Sequence, residues 1–151
     1  MNITFRLMKN ADRKTITKLM FDFYEEDTYV KNITIKKIKN TFIELGKYPE
    51  KGCIFVVENK SEIIGYALLV NYWSNEFGGN ILHIDELFIR PIYRRKGIGT
   101  KFFHYIIDHY VNNPVALQLE VTKKNKRGEE FYKNFGFSKS KYNRLILELD
   151  K

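Results

Sequence analysis

A mixed α/β fold, one sheet with helices on both faces, follows from three features of this 151-residue sequence. Apolar residues switch between helical and strand spacing along the chain. Three successive strand patterns are joined by turn chemistry. A strand, a helix and a further strand then follow, as in a parallel crossover.

The elements run in order. "ITFRLM" alternates and reads as a short first strand. "NADRKTITKLMFDFYEED" opens on an Asn placed to cap a helix, and Ile16, Leu19, Met20 and Phe23 share one helical face. "NITIKKIKNTFIELGKYPE" repeats that spacing through Ile35, Ile38, Phe42 and Leu45, with Gly46 placed to end the helix. "CIFVVEN" is a strand, "KSE" a tight turn, and "IIGYALLVNYW" the returning strand. "SNEFGGN" is turn chemistry again. "ILHIDELFIR" is a long strand that Pro91 stops. Residues Gly97 to Tyr110 form a helix with Ile98, Phe102, Ile106 and Tyr110 on one face. "NNPVALQLEV" holds a turn and a strand, "NKRGEEFYKNFGF" a short helix closed by Gly136, and "YNRLILELD" a last strand. The expected order is β-α-α-β-β-β-α-β-α-β.

Length and spacing predict a single domain over residues 1–151 with one good core. Lys and Arg number 26 against 18 Asp and Glu, an excess of eight that favours anionic partners such as a nucleotide cofactor, nucleic acid or acidic lipid. Cys53 is the single cysteine, which excludes an intrachain disulfide and an all-Cys zinc site. No apolar run reaches the ~18 residues of a membrane span. The opening residues read as a strand and a turn, not a signal peptide, so a cytoplasmic protein without metal is expected.

The stretch "RPIYRRKGIGTKFF" (Arg90–Phe103) lies where the sheet's ligand site is expected: a strand ends, and a helix begins. The first amides of a helix lack intrahelical partners, and the dipole is positive there, so a pyrophosphate can bind them. Gly97 and Gly99 remove side chains that block close approach, and Arg94, Arg95 and Lys96 add positive charge. "RRKGIG" fits Arg/Gln-x-x-Gly-x-Gly/Ala and matches neither the dinucleotide fingerprint nor an ATP-binding loop.

With its preceding strand, "IDELFIRPIYRRKGIGTKFF" resembles motif A of the GNAT N-acetyltransferases, and "NKRGEEFYKNFGF" resembles that family's second signature. The resemblance covers nearly the whole chain and implies the GNAT acyl-CoA N-acyltransferase fold. It also implies acetyl-CoA as cofactor. It places the pantetheine arm along Leu87, Phe88 and Ile89, and the pyrophosphate on Arg95, Lys96, Gly97, Ile98, Gly99 and Thr100, with Arg94 opening the motif. It assigns Asn125 to the cofactor and Tyr132 to the thioester sulfur, where a phenol is the candidate acid for the departing thiolate. A carboxylate is needed to take the proton of the acceptor ammonium. Asp85 and Glu86 are both candidates, because adjacent strand residues point to opposite faces unless a bulge intervenes. His83 reads as a satisfied strand histidine beside Asp85, and His104 and His109 as solvent-facing.

For the acceptor, Tyr24, Glu25, Glu26 and Asp27 group acid beside a ring in an otherwise basic protein. Trp73 and Glu76 add a ring and an acid that suit an ammonium. The arrangement is similar to the small-amine and polyamine acetyltransferases, so a small primary amine is expected, with an aminoglycoside or a peptide amine as the alternative. A non-catalytic acetyl-CoA sensor and a nucleic-acid binder are the other classes. "TKKNKRGEEFYK" is basic, but Glu129 and Glu130 interrupt it and no nucleic-acid-binding motif is present, so neither nucleic acid nor membrane is the expected partner. The family's frequent dimers imply a homodimer.

Overall fold

In the computed structural model, which describes residues 1–26 and 32–150, five strands form one sheet. They are β1 (Ile3–Leu7), β2 (Gly52–Asn59), β3 (Glu62–Ser74), β4 (Gly79–Ile89) and β5 (Ala116–Leu119), adjacent in that order. The first four pair antiparallel, and β4 pairs parallel with β5, so the sheet is mixed, as expected. The helices are α1 (Arg13–Glu26), α2 (Ile35–Lys47), α3 (Ile98–His109) and α4 (Lys126–Phe135). Packing divides the chain into two compact units, Met1–Glu120 and Val121–Lys151.

In the first unit, both faces of the sheet are covered. On one face Ile16, Leu19 and Met20 of α1 and Ile38 and Phe42 of α2 pack on Ile54, Val56, Tyr66, Leu68 and Phe88. Each of these fully buried side chains contributes about 1.5–3 kcal/mol of transfer free energy. On the other face Phe102 of α3 meets Phe5 and Phe55 edge-on, and Ile98 packs on Val57 and Ile64.

Local chemistry differs from expectation at several ends. Asn10 does not cap α1, because it lies in a 3-10 turn, Asn10–Asp12. There the Asp12 carboxylate accepts from the Lys9 N–H at 2.7 Å and from the Arg6 guanidinium at 2.7 and 3.1 Å. Thr34 caps α2 by accepting from the Lys37 N–H. Gly46 sits inside the last turn of α2, which ends at Lys47. The β2–β3 turn puts Lys60 and Ser61 at φ 48° and 69°, the paired left-handed geometry that suits the twist of a hairpin.

In the second unit, Asn125 caps α4 by accepting from the Gly128 N–H at 2.9 Å, and Gly136 closes the helix at φ 125°. The expected last strand is absent: residues Tyr142–Asp150 enter no ladder, and Leu145, Ile146, Leu147 and Leu149 stay exposed. Alternation fits any extended chain, but a strand exists only with a partner that takes its backbone groups.

Candidate functional site

The register of β4 creates the site. Leu68 pairs with Glu86 and Leu69 with Ile84, so Asp85 is an extra, bulged residue. The bulge lets Glu86 and His83, opposite Leu68 and Val70, emerge on the face that α1 covers. The two candidate carboxylates differ in exposure. Glu86 is 5% exposed, and each of its oxygens accepts from a phenol: Tyr24 of α1 at 2.5 Å and Tyr66 of β3 at 2.6 Å. Burial pushes the Glu86 carboxyl up, and the two phenols oppose that rise. The Asp85 side chain is 47% exposed, and Oδ1 lies 3.6 Å from His83 Nε2. Arg90 does not pair with either acid and binds Glu62 instead at 3.0 Å.

Beyond the bulge, β4 has an open edge. Pairing with β5 stops at Ile84 opposite Leu119, while β4 runs on to Ile89. The Arg90 N–H bonds the Ile64 carbonyl at 2.9 Å. Antiparallel alternation therefore turns the backbone groups of Glu86 and Phe88 toward β3, and those of Leu87 and Ile89 toward the open side. Of the three residues expected to meet an extended ligand through the backbone, Leu87 turns both its groups to the open side, Ile89 turns its N–H there while its carbonyl accepts from Arg94, and Phe88 turns its groups to β3. Phe88 buries its ring in the core instead.

The open edge runs into the loop before α3. Pro91–Tyr93 make a 3-10 turn, and Arg95 and Gly97 take left-handed φ of 61° and 73°. Gly97 is the cap residue of α3 and offers no side-chain acceptor, so the N–H groups of Ile98, Gly99 and Thr100 have no intrahelical partner. A Cβ on Gly97 meets no protein atom within 4 Å, so within the chain it is the φ of 73° that favours glycine, and the space beside it is open. Arg95 and Lys96 are exposed beside this end, and Lys96 Nζ lies 5.5 Å from the centroid of the Tyr93 ring.

Arg94 departs from its expected place among the anion-facing cations. Its guanidinium turns inward: Nε donates to the Ile89 carbonyl at 2.7 Å, and one terminal nitrogen meets both Glu26 oxygens at 2.9 Å. It also lies 5.3 Å from the centroid of the Phe88 ring. Glu26 is thereby engaged and is not a free acceptor-binding acid. Asp22, Glu25 and Glu26, with Lys18 and Arg90, line an open cleft of about 510 Å³ together with Phe88, Pro91 and Ile92. The structure therefore joins Tyr24, Glu25 and Glu26 to the β4 strand and its loop. Trp73 belongs to the opposite sheet face from Tyr66, Leu68 and Tyr72, and is 66% exposed. Glu76 is exposed in the β3–β4 turn, and Asp27 lies outside the described residues.

In the second unit, Tyr132 lies on α4, with ring centroids 5.2 Å from Phe131 and 5.8 Å from Phe137. Burial pushes its phenol up. Asn125 spends its side-chain oxygen on the α4 cap. Among the described residues, no group of three or more His, Cys, Asp or Glu is arranged to hold a metal, and no helix is long and apolar enough to cross a membrane. Tyr66 is the site residue that periodicity did not find: it reads as one more core aromatic until register sets it beside Glu86.

Residues 15–137 match the model of the acetyltransferase (GNAT) family. A curated relative, an uncharacterized N-acetyltransferase of Methanocaldococcus jannaschii, is 34% identical over 95 residues, 62% of this chain and 42% of its own length. A thialysine N-epsilon-acetyltransferase of Bos taurus is 31% identical over 75 residues, 49% of this chain and 44% of its own. The matches thus span less than half the length of these relatives. Among solved structures, a possible acetyltransferase from Clostridium difficile 630 superposes with a TM-score of 0.83 at 25% identity, covering 99% of each chain.

Proposed function

The chain belongs to the GNAT acetyltransferase family, and we propose that it transfers the acetyl group of acetyl-CoA to a small primary amine, by direct attack in a ternary complex. One observation carries the reading: the open backbone edge of Leu87 and Ile89 leads directly to the unpaired amides at the start of α3. An extended arm with an amide along it suits the first, and a pyrophosphate suits the second. Arg95 and Lys96 supply charge beside that end, and Arg94 holds the loop rather than the phosphates.

The chemistry follows from the same strand. An acceptor ammonium has a pKa near ~10.4 by analogy with lysine and must lose a proton before it attacks. Asp85, exposed on the bulge, is the carboxylate that meets it. Glu86 is the anchor of the bulge and not the base, because both of its oxygens are occupied by phenols. A backbone N–H of the open edge donates to the tetrahedral oxyanion. Tyr132 protonates the leaving thiolate. The acid-lined cleft at the end of α1 favours a cationic acceptor such as a polyamine or a lysine-like amine, and the thialysine acetyltransferase relative agrees with that class. The expected assembly is a cytoplasmic homodimer without metal.

The test is calorimetry with acetyl-CoA on the parent and on a variant with Gly97 and Gly99 both changed to valine. Micromolar binding by the parent, lost in a variant that still folds, supports the cradle and opens an amine screen with polyamines and lysine analogues first. Absence of heat from the parent at high ligand concentration refutes the reading.

A further inference from the structure

We propose that His83 and Asp85 act as one proton-accepting pair for the acceptor amine, with His83 Nε2 as the atom on which the proton comes to rest. The proposal rests on the acetyltransferase reading and adds a catalytic residue to it. The bulge sets both side chains on one sheet face, 3.6 Å apart, where β4 parts from β5. His83 is largely covered, at 15% side-chain exposure, and Asp85 faces solvent. The groups around the ring come from three strands. Asp85 lies on β4, Gln118 lies on β5 with Glu120 just beyond it, and Tyr72 of β3 donates to Gln118 Oε1 at 2.8 Å. No cation is in this set. Asp85 first, then Glu120 and Gln118, favour the charged imidazole, against the burial that opposes it.

That environment suits a base that must become an imidazolium. The acceptor's ammonium is held by the exposed Asp85 carboxylate. Its N–H bond breaks, the electron pair stays on the amine nitrogen, and a new N–H bond forms at Nε2 of the Nδ1-protonated tautomer. The resulting imidazolium lies against the Asp85 carboxylate, and the proton then leaves to water past the exposed acid. No oxidant or further reactant is needed.

Two measurements test the pair. Imidazole NMR follows the titration of the three histidines, with His83→Gln assigning the signal. In Asp85→Asn the His83 midpoint is expected to fall by about one pH unit, the low end for loss of a neighbouring opposite charge. The pH profile of kcat/KM is then recorded with the amine that turns over best in the acceptor screen. The parent's acid limb is expected to follow the His83 midpoint. His83→Gln should lose at least tenfold at neutral pH and no longer show that limb, while it still binds acetyl-CoA by calorimetry as the parent does. An unchanged His83 midpoint in Asp85→Asn overturns the pair, as does a His83→Gln profile that superposes on the parent's. Failure of the parent itself to bind acetyl-CoA overturns the acetyltransferase reading instead, and so separates the two failures. If His83→Gln does not fold, the Asp85→Asn titration and the match between the parent's limb and its His83 midpoint decide.

Discussion

Tyr66→Phe removes one oxygen from a place that water cannot refill. Tyr66 is 0% exposed, and its hydroxyl donates to Glu86 Oε2 at 2.6 Å. A lost hydrogen bond to a buried charged group costs about 1.5–3 kcal/mol. For a chain of this size that lowers Tm by about 3–12 °C. Tyr24→Phe removes the corresponding donor on Oε1 from a half-buried position, where solvent can partly substitute, and the expected cost is nearer 1 kcal/mol. The pH dependence gives an internal check. Burial holds the Glu86 pKa above its unfolded value. Such a group contributes stability that is fully present below the unfolded pKa and lost as pH rises through the folded one. Tyr66→Phe deletes a contact that lowers this pKa, so the folded value climbs further and the loss extends to higher pH. The variant's deficit should therefore be larger at neutral than at acid pH. Urea unfolding of parent and variant at both pH values measures it. A deficit below about 0.5 kcal/mol, or one that grows on acidification, refutes the argument that two phenols hold an ionised Glu86.

Three further outcomes follow from the same geometry. Arg6→Gln strips the guanidinium from Asp12 and Glu58, which it meets at 2.7 and 2.6 Å, and should cost about 2 kcal/mol. Arg6 holds Asp12 below the usual carboxylate range, so that stability is present above the unfolded pKa and lost as pH falls through the folded one; parent and variant should converge in acid, as urea unfolding will register. Gly97→Val forces a β-branched residue into φ 73° and should cost about 1–2 kcal/mol of stability, and more than tenfold in acetyl-CoA affinity by calorimetry. The half-exposed Arg94–Glu26 pair should be worth under about 1 kcal/mol to stability in a double-mutant cycle, yet Arg94→Gln should weaken acetyl-CoA binding because the loop loses its tie to the Ile89 carbonyl.

The sheet and the loop were legible for a physical reason. Period-2 and period-3.6 patterns report which face is buried, and the left-handed Gly97 reports a backbone demand that few residues meet. The carboxylates were legible only as a pair. Neighbours on a strand point apart, and a bulge that reverses this leaves no mark in composition. The role of Arg94 was hidden for a different reason. Sequence supplies its charge but not its direction, and its partner Glu26 lies 68 residues away. Trp73 lies on the sheet face opposite Glu86, because its strand neighbour Tyr72 takes the face that bears Glu86, a placement that depends on register and that the residue types do not report. The final strand failed because alternation over Tyr142–Asp150 says nothing about a partner.

Helix α1 is fastened to β4 at two places two residues apart. Tyr24 binds Glu86 just after the bulge, and Glu26 binds Arg94, which in turn binds the carbonyl of Ile89. The two ties bracket Leu87, whose backbone groups face the open edge. A shift of α1 strains both ties and so moves the strand meant to carry the cofactor's arm. On the acceptor site proposed above, the cleft at the end of that helix would be where acceptor binding is felt by the strand. The coupling is thermodynamic and therefore reciprocal. Acetyl-CoA on the parent should tighten the amine by the same factor by which the amine tightens acetyl-CoA, and Glu26→Gln should reduce both factors equally. Calorimetry in both orders of addition measures the two factors. A Glu26→Gln variant whose common factor equals the parent's refutes the two-tie account, because the Glu26–Arg94 tie then carries none of the coupling.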